Sequence, residues 1–176
     1  MQIIKEYRVY LRAFEPEDYK VSIEWRNDDE IWSMVGGPKY FVSSEYEKKW
    51  IEEAIFDTKN IKLAICLKEN HKYIGNVSLT DIDWRNRNAE LHILIGDKRR
   101  WNKGFGSEAI QLMLKYGFAE LGLVRIFSRI LEDNKASVNL FKNNGFAKEG
   151  VLRKAVYKNS EYKNIILMSI LDINYS

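Results

Sequence analysis

A basic, glycine-containing segment near the middle of the sequence combines residue types that bind anions. Between an apolar strand-like run and an apolar helix-like run lies the sequence Arg99-Arg100-Trp101-Asn102-Lys103-Gly104-Phe105-Gly106-Ser107-Glu108-Ala109. The two glycines allow a turn with positive φ and a close approach of the backbone to a ligand, and Ser107 and Glu108 suit the first turn of a helix. Amide N–H groups at such a helix start favour phosphate, and the basic side chains add positive charge. The spacing matches neither a Walker loop nor a dinucleotide fingerprint, and an ordinary turn remains the alternative.

Two residues that can move protons precede this segment. Glu90 and His92 stand two apart in the apolar run from Ala89 to Gly96, so a strand there points both side chains to one face. A carboxylate can take a proton from an amine directly or through water, and a histidine titrates near neutral pH. The structural alternatives are a pairing of Glu90 with Arg85 or Arg87 and a hydrogen-bonded, non-catalytic His92.

The elements that position these residues follow from periodicity and from turn signals. Alternation and β-rich composition predict strands over about 8–14, 62–67, 72–81, 87–95, 123–130, 147–157 and 162–170. Helical spacing and capping residues predict helices over about 16–27, 44–57 and 106–121 and a short one ending near 144, whereas 28–38 reads as irregular. The strand, loop, helix and strand spanning about 87–130 require a parallel pair joined by a right-handed crossover.

A second motif follows one helix and one strand after the glycine segment. It reads Asp133-Asn134-Lys135-Ala136-Ser137-Val138-Asn139-Leu140-Phe141-Lys142-Asn143-Asn144-Gly145-Phe146. With the strand and the glycine segment before it, this motif resembles the GNAT superfamily of acetyl-CoA-dependent N-acetyltransferases, in the branch that holds RimJ/RimL-type protein N-terminal acetyltransferases and spermidine N-acetyltransferases. The resemblance covers nearly the whole chain.

The resemblance implies an α/β (α+β) GNAT fold formed by residues 1–176 as a single acetyltransferase domain. Its central sheet is mixed and mostly antiparallel, with about seven strands, about four flanking helices and a parallel strand pair at the cofactor cleft.

Acetyl-CoA is the cofactor that the resemblance implies. In the family the pattern Arg/Gln-x-x-Gly-x-Gly/Ala holds the CoA pyrophosphate; here Trp101 stands at the Arg/Gln position, and Asn102 stands where a further glycine is common. The implied cofactor-binding residues are Ile93, Leu94, Ile95, Arg99, Arg100, Trp101, Asn102, Lys103, Gly104, Phe105, Gly106, Ser107, Asn134, Ser137, Phe141 and Lys142.

The catalytic residues are less well defined than the cofactor site. Many family members place a proton-donating tyrosine where this chain has Phe141, which has no proton to give. Some RimL-type members are thought to use a serine one turn earlier, which corresponds here to Ser137, and Tyr157 is the reserve donor. Water and the dipole of the helix starting near Asn134 form a further alternative without any acid. Glu90 and His92 complete the candidate catalytic set.

The implied reaction is direct transfer of an acetyl group to a primary amine, either a protein N-terminus, a polyamine or another small amine. Trp32, Tyr40 and Glu90 are the candidate substrate-binding residues, since aromatic walls commonly hold ligands. Acidic side chains that can attract a cationic amine are those of Asp28, Asp29, Glu30 and Glu45.

Two alternatives to this function stay open. The segment Trp25-Arg26-Asn27 resembles part of the nucleotide-linked amino-sugar N-acetyltransferases, in which case Arg26 meets a phosphate. A non-catalytic CoA-binding GNAT-like module is favoured by Phe141.

Composition narrows the class of protein. The chain has 176 residues, 45% hydrophobic and 30% charged, which suits one domain with a full core. Its net charge of +3 is too small to indicate a nucleic-acid partner. A single cysteine, Cys66, excludes an internal disulfide. Without a signal-peptide pattern or an apolar run of roughly 18 residues, we expect a cytoplasmic protein with no membrane association. We expect no metal site, and the resemblance leaves a homodimer open.

Overall fold

The computed structural model describes residues 6–37 and 41–175. The strands are β1 (Val9–Arg12), β2 (Ile61–Leu67), β3 (Tyr73–Asp83), β4 (Asn88–Ile95), β5 (Arg125–Leu131), β6 (Ala147–Lys158) and β7 (Glu161–Leu171). The α-helices are α1 (Tyr19–Arg26), α2 (Asp29–Met34), α3 (Ser44–Ile55), α4 (Phe105–Lys115) and α5 (Lys135–Asn143). Short helical turns cover Pro16–Asp18, Lys98–Arg100, Tyr116–Glu120 and Asp172–Asn174.

The seven strands form one open sheet in the order β1-β2-β3-β4-β5-β7-β6. Neighbouring strands are antiparallel except β4 and β5, which are parallel and are connected through α4. The mixed sheet and the parallel pair predicted from the sequence are therefore confirmed.

The sequence predicted that the segment 28–38 is irregular. This prediction was wrong in part, because α2 lies within the segment. Asp28 caps this helix: its Oδ1 accepts hydrogen bonds from the backbone N–H groups of Glu30 and Ile31, both at 3.0 Å. A six-residue helix shows less than two turns of periodicity, so its pattern is not legible in the sequence. The described part of the chain consequently has five α-helices rather than about four.

Two hydrophobic cores lie on the two faces of the sheet, because alternate residues of β2 point to opposite sides. On one face Ala64 and Cys66 join a cluster with residues of α1 and α3, among them Trp25 and Ile51. On the other face Ile65 and Leu67 belong to the core that includes residues of α4 and α5. Within residues 6–37 and 41–175, no helix is both long and apolar enough to cross a bilayer.

An ion pair between β5 and β6 makes the stability of the sheet depend on pH. Both Nη atoms of Arg125 donate to the carboxylate of Glu149 at 2.6 Å, and Ser169 Oγ donates to it at 2.6 Å. These bonds, that of Arg125 first, lower the pKa of Glu149 from 4.5 to about 2. Because the folded-state pKa is the lower one, the pair stabilises the fold fully above about pH 4.5, and the contribution is lost as the pH falls toward 2.

We therefore expect Glu149→Gln to lower the free energy of unfolding by about 1 kcal/mol at pH 7, a modest value because the pair is partly exposed and screened. The difference between wild type and variant should shrink as the pH falls through the interval from 4.5 to about 2. Urea unfolding at several pH values measures it. A difference that stays constant over that interval contradicts the assignment.

Candidate active site

A cleft opens where the parallel strands β4 and β5 separate. They are paired at Asn88↔Arg125, Ala89↔Ile126 and Glu90↔Phe127. Beyond Glu90, β4 continues along β3 and β5 continues along β7. The resulting cleft has a volume of about 620 Å³ and is lined by the diverging strands, the glycine segment, α5 and residues of α1, α2 and α3.

The glycine segment forms one end of the cleft and starts α4. Gly104 has a φ of 86°, a conformation that glycine adopts without steric cost, and Asn102 has a φ of 55°. The first intrahelical bond runs from Glu108 N–H to Gly104 O at 3.1 Å. The N–H groups of the preceding helix residues therefore have no acceptor in the previous turn and can bind an anion in the cleft.

Arg8 braces this segment from β1's side of the sheet, a contact that the sequence did not indicate. Its Nε donates to Glu108 Oε1 at 2.7 Å, and its backbone N–H donates to Glu108 Oε2 at 2.7 Å. Its Nη2 donates to Lys103 O at 2.8 Å, and its guanidinium lies 4.3 Å from the Phe105 ring centroid. Since the pair spans 100 residues of sequence, no local pattern reveals it.

Trp101, at the family's Arg/Gln position, ties the glycine segment to the end of β4. Its Nε1 donates to Ile95 O at 2.6 Å, and its side chain packs against the core of the α1–α3 face. Ser107 uses its hydroxyl elsewhere: Oγ donates to Asn144 Oδ1 at 2.9 Å. Because its hydroxyl is already bonded, Ser107 can offer a ligand its backbone N–H group.

Most of the predicted cofactor-binding residues line the cleft. They are Ile93, Leu94, Ile95, Arg100, Trp101, Asn102, Gly104, Phe105, Gly106, Ser107, Asn134, Ser137 and Phe141. Arg99, Lys103 and Lys142 are not among the lining residues. Arg99 instead donates from Nε to Asp97 Oδ1 at 2.9 Å, and this bond holds the pKa of Asp97 well below its usual range.

Glu90 and His92 share a face, as their spacing predicted, but they are exposed very differently. The Glu90 side chain is 4% exposed and lies behind the cleft wall, whereas the His92 side chain is 51% exposed and lines the cleft. The distance from Glu90 Oε2 to His92 Nε2 is 3.8 Å, and His92 Nε2 lies 3.0 Å from Thr80 Oγ1. Glu90 is paired with Arg129 Nη1 of β5 at 3.2 Å, not with Arg85 or Arg87.

The contact of Arg129 with Glu90 could not be predicted from the sequence, because their strands are neighbours only in the folded sheet. The two strands pair in parallel from Asn88 to Glu90 and diverge after it. Arg129 lines the cleft, so it adds a positive charge beside the Glu90–His92 pair.

The start of α5 forms the wall opposite β4. Asn134 caps the helix, since its Oδ1 accepts from Ser137 N–H at 3.0 Å, and its Nδ2 donates to Met34 O at 2.9 Å. Phe141 is 1% exposed and packs edge-on against Phe146 at 4.8 Å between ring centroids. Ser137 is thereby held by a capped helix end on the surface of the cleft.

Two other predicted site residues lie away from the cleft lining. Tyr157, the reserve proton donor, is 60% exposed and contacts Tyr162 in the β6–β7 hairpin, with 5.1 Å between the ring centroids and the rings tilted by 60°. Trp32 lies under a lysine, with Lys158 Nζ 3.6 Å from its ring centroid. Tyr40 lies outside the described residues.

The far end of the cleft is built by α1 and α3. Glu47 is 1% exposed and accepts from Ser22 Oγ at 2.6 Å and from Arg26 Nε at 2.9 Å. The guanidinium of Arg26 lies 5.0 Å from the Trp50 ring centroid, and Lys62 Nζ lies 5.9 Å from it. This end combines an aromatic wall with two cationic side chains.

The acidic residues proposed to attract an amine do not face this cleft. Asp28 Oδ2 and Glu30 Oε2 are paired with Lys98 Nζ at 2.7 and 2.9 Å. Among the described residues that line the cleft, Asp28, Asp29, Glu30 and Glu45 do not occur.

A mixed sheet whose parallel pair opens beside a glycine segment and a helix start defines a CoA-dependent N-acetyltransferase fold. The sequence pattern of the acetyltransferase (GNAT) domain matches residues 8–147, and the chain belongs to this family. The uncharacterized N-acetyltransferase p20 of Bacillus licheniformis is 28% identical, over 100% of this chain and 99% of its own. The uncharacterized N-acetyltransferase YoaA of Bacillus subtilis is 30% identical, over 84% of each chain.

A solved structure gives the same fold. The spermidine N-acetyltransferase of Vibrio cholerae, in complex with CoA and spermine, superimposes with a TM-score of 0.87 at 27% identity, covering 96% of this chain and 98% of that one. The protein is thus a GNAT-family N-acetyltransferase that uses acetyl-CoA.

The residues present fit acetyl-CoA. A Cβ on Gly104 would lie 3.1 Å from Arg8 Nη2, and one on Gly106 would lie 3.2 Å from Leu140 Cδ2, so both glycines sit in confined positions of the cradle. The amide groups at the start of α4 suit a pyrophosphate, and Arg100 adds a cation on the cleft wall.

Proposed function

We propose that the chain transfers the acetyl group of acetyl-CoA directly to a primary amine where β4 and β5 separate. The observation that carries this proposal is the placement of His92, with Glu90 behind it, on one wall of the cleft and of Ser137 on another. The two proton-transfer roles that acetyl transfer needs are then supplied from two sides of one opening.

The Glu90–His92 pair acts as the proton acceptor. An amine must be neutral to attack a thioester, so its proton has to leave. His92 is exposed to the cleft, and Glu90 lies 3.8 Å behind it and 3.2 Å from Arg129 Nη1. A proton taken from the amine passes to Glu90 through His92 or through water.

Ser137 acts on the leaving group. Acetyl-CoA supplies the acetyl group as a thioester, and the sulfur needs a proton when the C–S bond breaks. Phe141 has no proton, and Tyr157 lies away from the cleft lining. Ser137 is the predicted donor that lines the cleft.

We expect Ser137→Ala to lower kcat by about 10-fold or more with little change in the KM for acetyl-CoA, because the hydroxyl acts on the leaving group rather than in binding. Ser137→Thr keeps a hydroxyl on the same helix turn and should retain most of the activity. Steady-state kinetics with both variants decide the matter. If Ser137→Ala keeps the wild-type kcat, water protonates the leaving thiolate instead, and the dipole of α5 stabilises the negative charge.

The acceptor class is the finer part of the proposal. A polyamine is the first candidate, since the solved neighbour is a spermidine N-acetyltransferase. A nucleotide-linked amino sugar is the second, because Arg26 and Lys62 flank Trp50, a combination that suits phosphate groups beside a base.

A panel of acceptors tests the proposed function. Spermidine, N-terminal peptides and a nucleotide-linked amino sugar are incubated with enzyme and acetyl-CoA, and thiol detection measures released CoA. Release above the rate without acceptor, confined to one class, identifies the substrate class. If no class raises release, direct transfer to these amines is wrong.

Two further expectations belong to this proposal. Residues 1–176 act as one acetyltransferase domain, which the single sheet supports. The free, buried Cys66 is compatible with a cytoplasmic enzyme.

A further inference from the structure

One wall of the cleft is a short backbone segment made of the last residue of α2 and the two residues that follow it. Met34, Val35 and Gly36 line the cleft. Val35 has an extended conformation, with φ −98° and ψ 153°, so the helix has ended there. The carbonyl groups of this segment therefore need hydrogen-bond donors from elsewhere in the fold.

Lys158, the last residue of β6, supplies two of these hydrogen bonds. Its Nζ donates to Val35 O at 2.7 Å and to Gly37 O at 3.1 Å. The same nitrogen lies 3.6 Å from the centroid of the Trp32 ring in α2. One side chain thus holds both the end of α2 and the segment after it, although it is separated from them by more than 120 residues.

The burial of Lys158 indicates a specific role rather than a solvated surface lysine. The residue is 4% exposed, and burial lowers its pKa. Among the described residues, no ion pair to its ammonium occurs, so two carbonyl groups and one aromatic face offset its desolvation. An apolar side chain would fill this space without that cost but could not fix the positions of the carbonyl groups.

Asn134 holds the same segment from the cofactor side. Its Nδ2 donates to Met34 O at 2.9 Å while its Oδ1 caps the helix that carries Ser137. Residues Met34 to Gly37 are therefore held by hydrogen bonds from the end of β6 and from the start of α5.

We propose that Lys158 is a positioning residue that sets the acceptor wall formed by Met34, Val35 and Gly36, and thereby the affinity for the amine. The inference rests on the proposed function, because it assumes that this side of the cleft receives the acceptor. Lys158 touches no reacting atom; it acts through the backbone carbonyl groups it binds.

The test is Lys158→Met, which keeps a long side chain and removes the ammonium. With the amine identified by the panel, the KM for the amine should rise about 10-fold or more, because bonds to a charged donor are lost, while the KM for acetyl-CoA and kcat stay within about 3-fold of wild type. Lys158→Arg keeps the positive charge and can donate to both carbonyl oxygens, so its KM for the amine should lie between those of wild type and Lys158→Met. Lys148→Met is the matched control, since Lys148 is exposed on the same strand.

Hydrogen exchange gives a readout independent of turnover. In Lys158→Met the peptide covering residues 32–37 should exchange faster than in wild type, whereas peptides from β4 and α4 should not change. If the panel finds no acceptor, the proposed function fails, but this measurement still tests the positioning.

A second variant covers the case in which Lys158→Met does not fold. Trp32→Leu removes the ring beside the ammonium, leaves every charge in place, and should give a smaller change of the same kind. An unchanged KM for the amine together with unchanged exchange over 32–37 overturns the proposal. Equal rises in the KM for both substrates, with faster exchange throughout the chain, also overturn it and assign Lys158 to general stability.

Discussion

Replacing Glu90 with glutamine is expected to lower kcat by about 100-fold or more while the fold and the affinity for acetyl-CoA are kept. Glutamine has nearly the same shape as glutamate but cannot accept a proton at neutral pH. The carboxylate is 4% exposed and lies 3.8 Å from His92, so its loss removes the proton acceptor behind the cleft wall. The substitution removes the negative charge that lies 3.2 Å from Arg129 Nη1, a tolerable change because the arginine side chain is 53% exposed.

The control for Glu90→Gln is Glu149→Gln. Glu149 also pairs with an arginine of β5, Arg125, but it lies outside the cleft. It should therefore cost some stability and leave kcat unchanged. Steady-state kinetics with a saturating amine, and calorimetry for acetyl-CoA, compare the two variants. A wild-type kcat for Glu90→Gln across roughly pH 6 to 9 shows that this carboxylate handles no proton in the slow step.

Aspartate in place of Gly104 is expected to abolish acetyl-CoA binding. The new side chain would enter a position where a Cβ already lies 3.1 Å from Arg8 Nη2, and its negative charge would stand where the pyrophosphate is proposed to bind. The aspartate carboxylate would repel the negatively charged pyrophosphate. The φ of 86° adds strain for a residue with a side chain. Calorimetry should detect no heat of binding at acetyl-CoA concentrations that saturate the wild type.

Gly122→Asp separates the effect of charge in the cradle from the effect of backbone strain. Gly122 also has a positive φ, 64°, but no atom lies within 4 Å of a Cβ built there, and it is not a lining residue of the cleft. This variant should lose a similar amount of backbone stability and keep wild-type affinity for acetyl-CoA. Near-native affinity in Gly104→Asp refutes the placement of the pyrophosphate.

Local sequence determined the elements that have long, regular patterns. Alternating strands and the helical run after Gly106 were legible because side-chain direction repeats every two or 3.6 residues. The common face of Glu90 and His92 followed for the same reason, since it depends only on strand geometry. Asp133 and Asn134 are both of a residue type that caps helices, and the structure shows that Asn134 caps α5.

Contacts between distant segments were decided only by the tertiary structure. Glu90 pairs with Arg129 because β4 and β5 become neighbours, and Arg8 reaches Glu108 across 100 residues. In the same way, Asn134 bonds the last residue of α2 and Lys158 bonds the residue after it. The choice of partner at such a range depends on how whole elements pack, which no window of local sequence contains. The glycine segment was therefore visible in the sequence, whereas the contacts that hold Met34, Val35 and Gly36 were not.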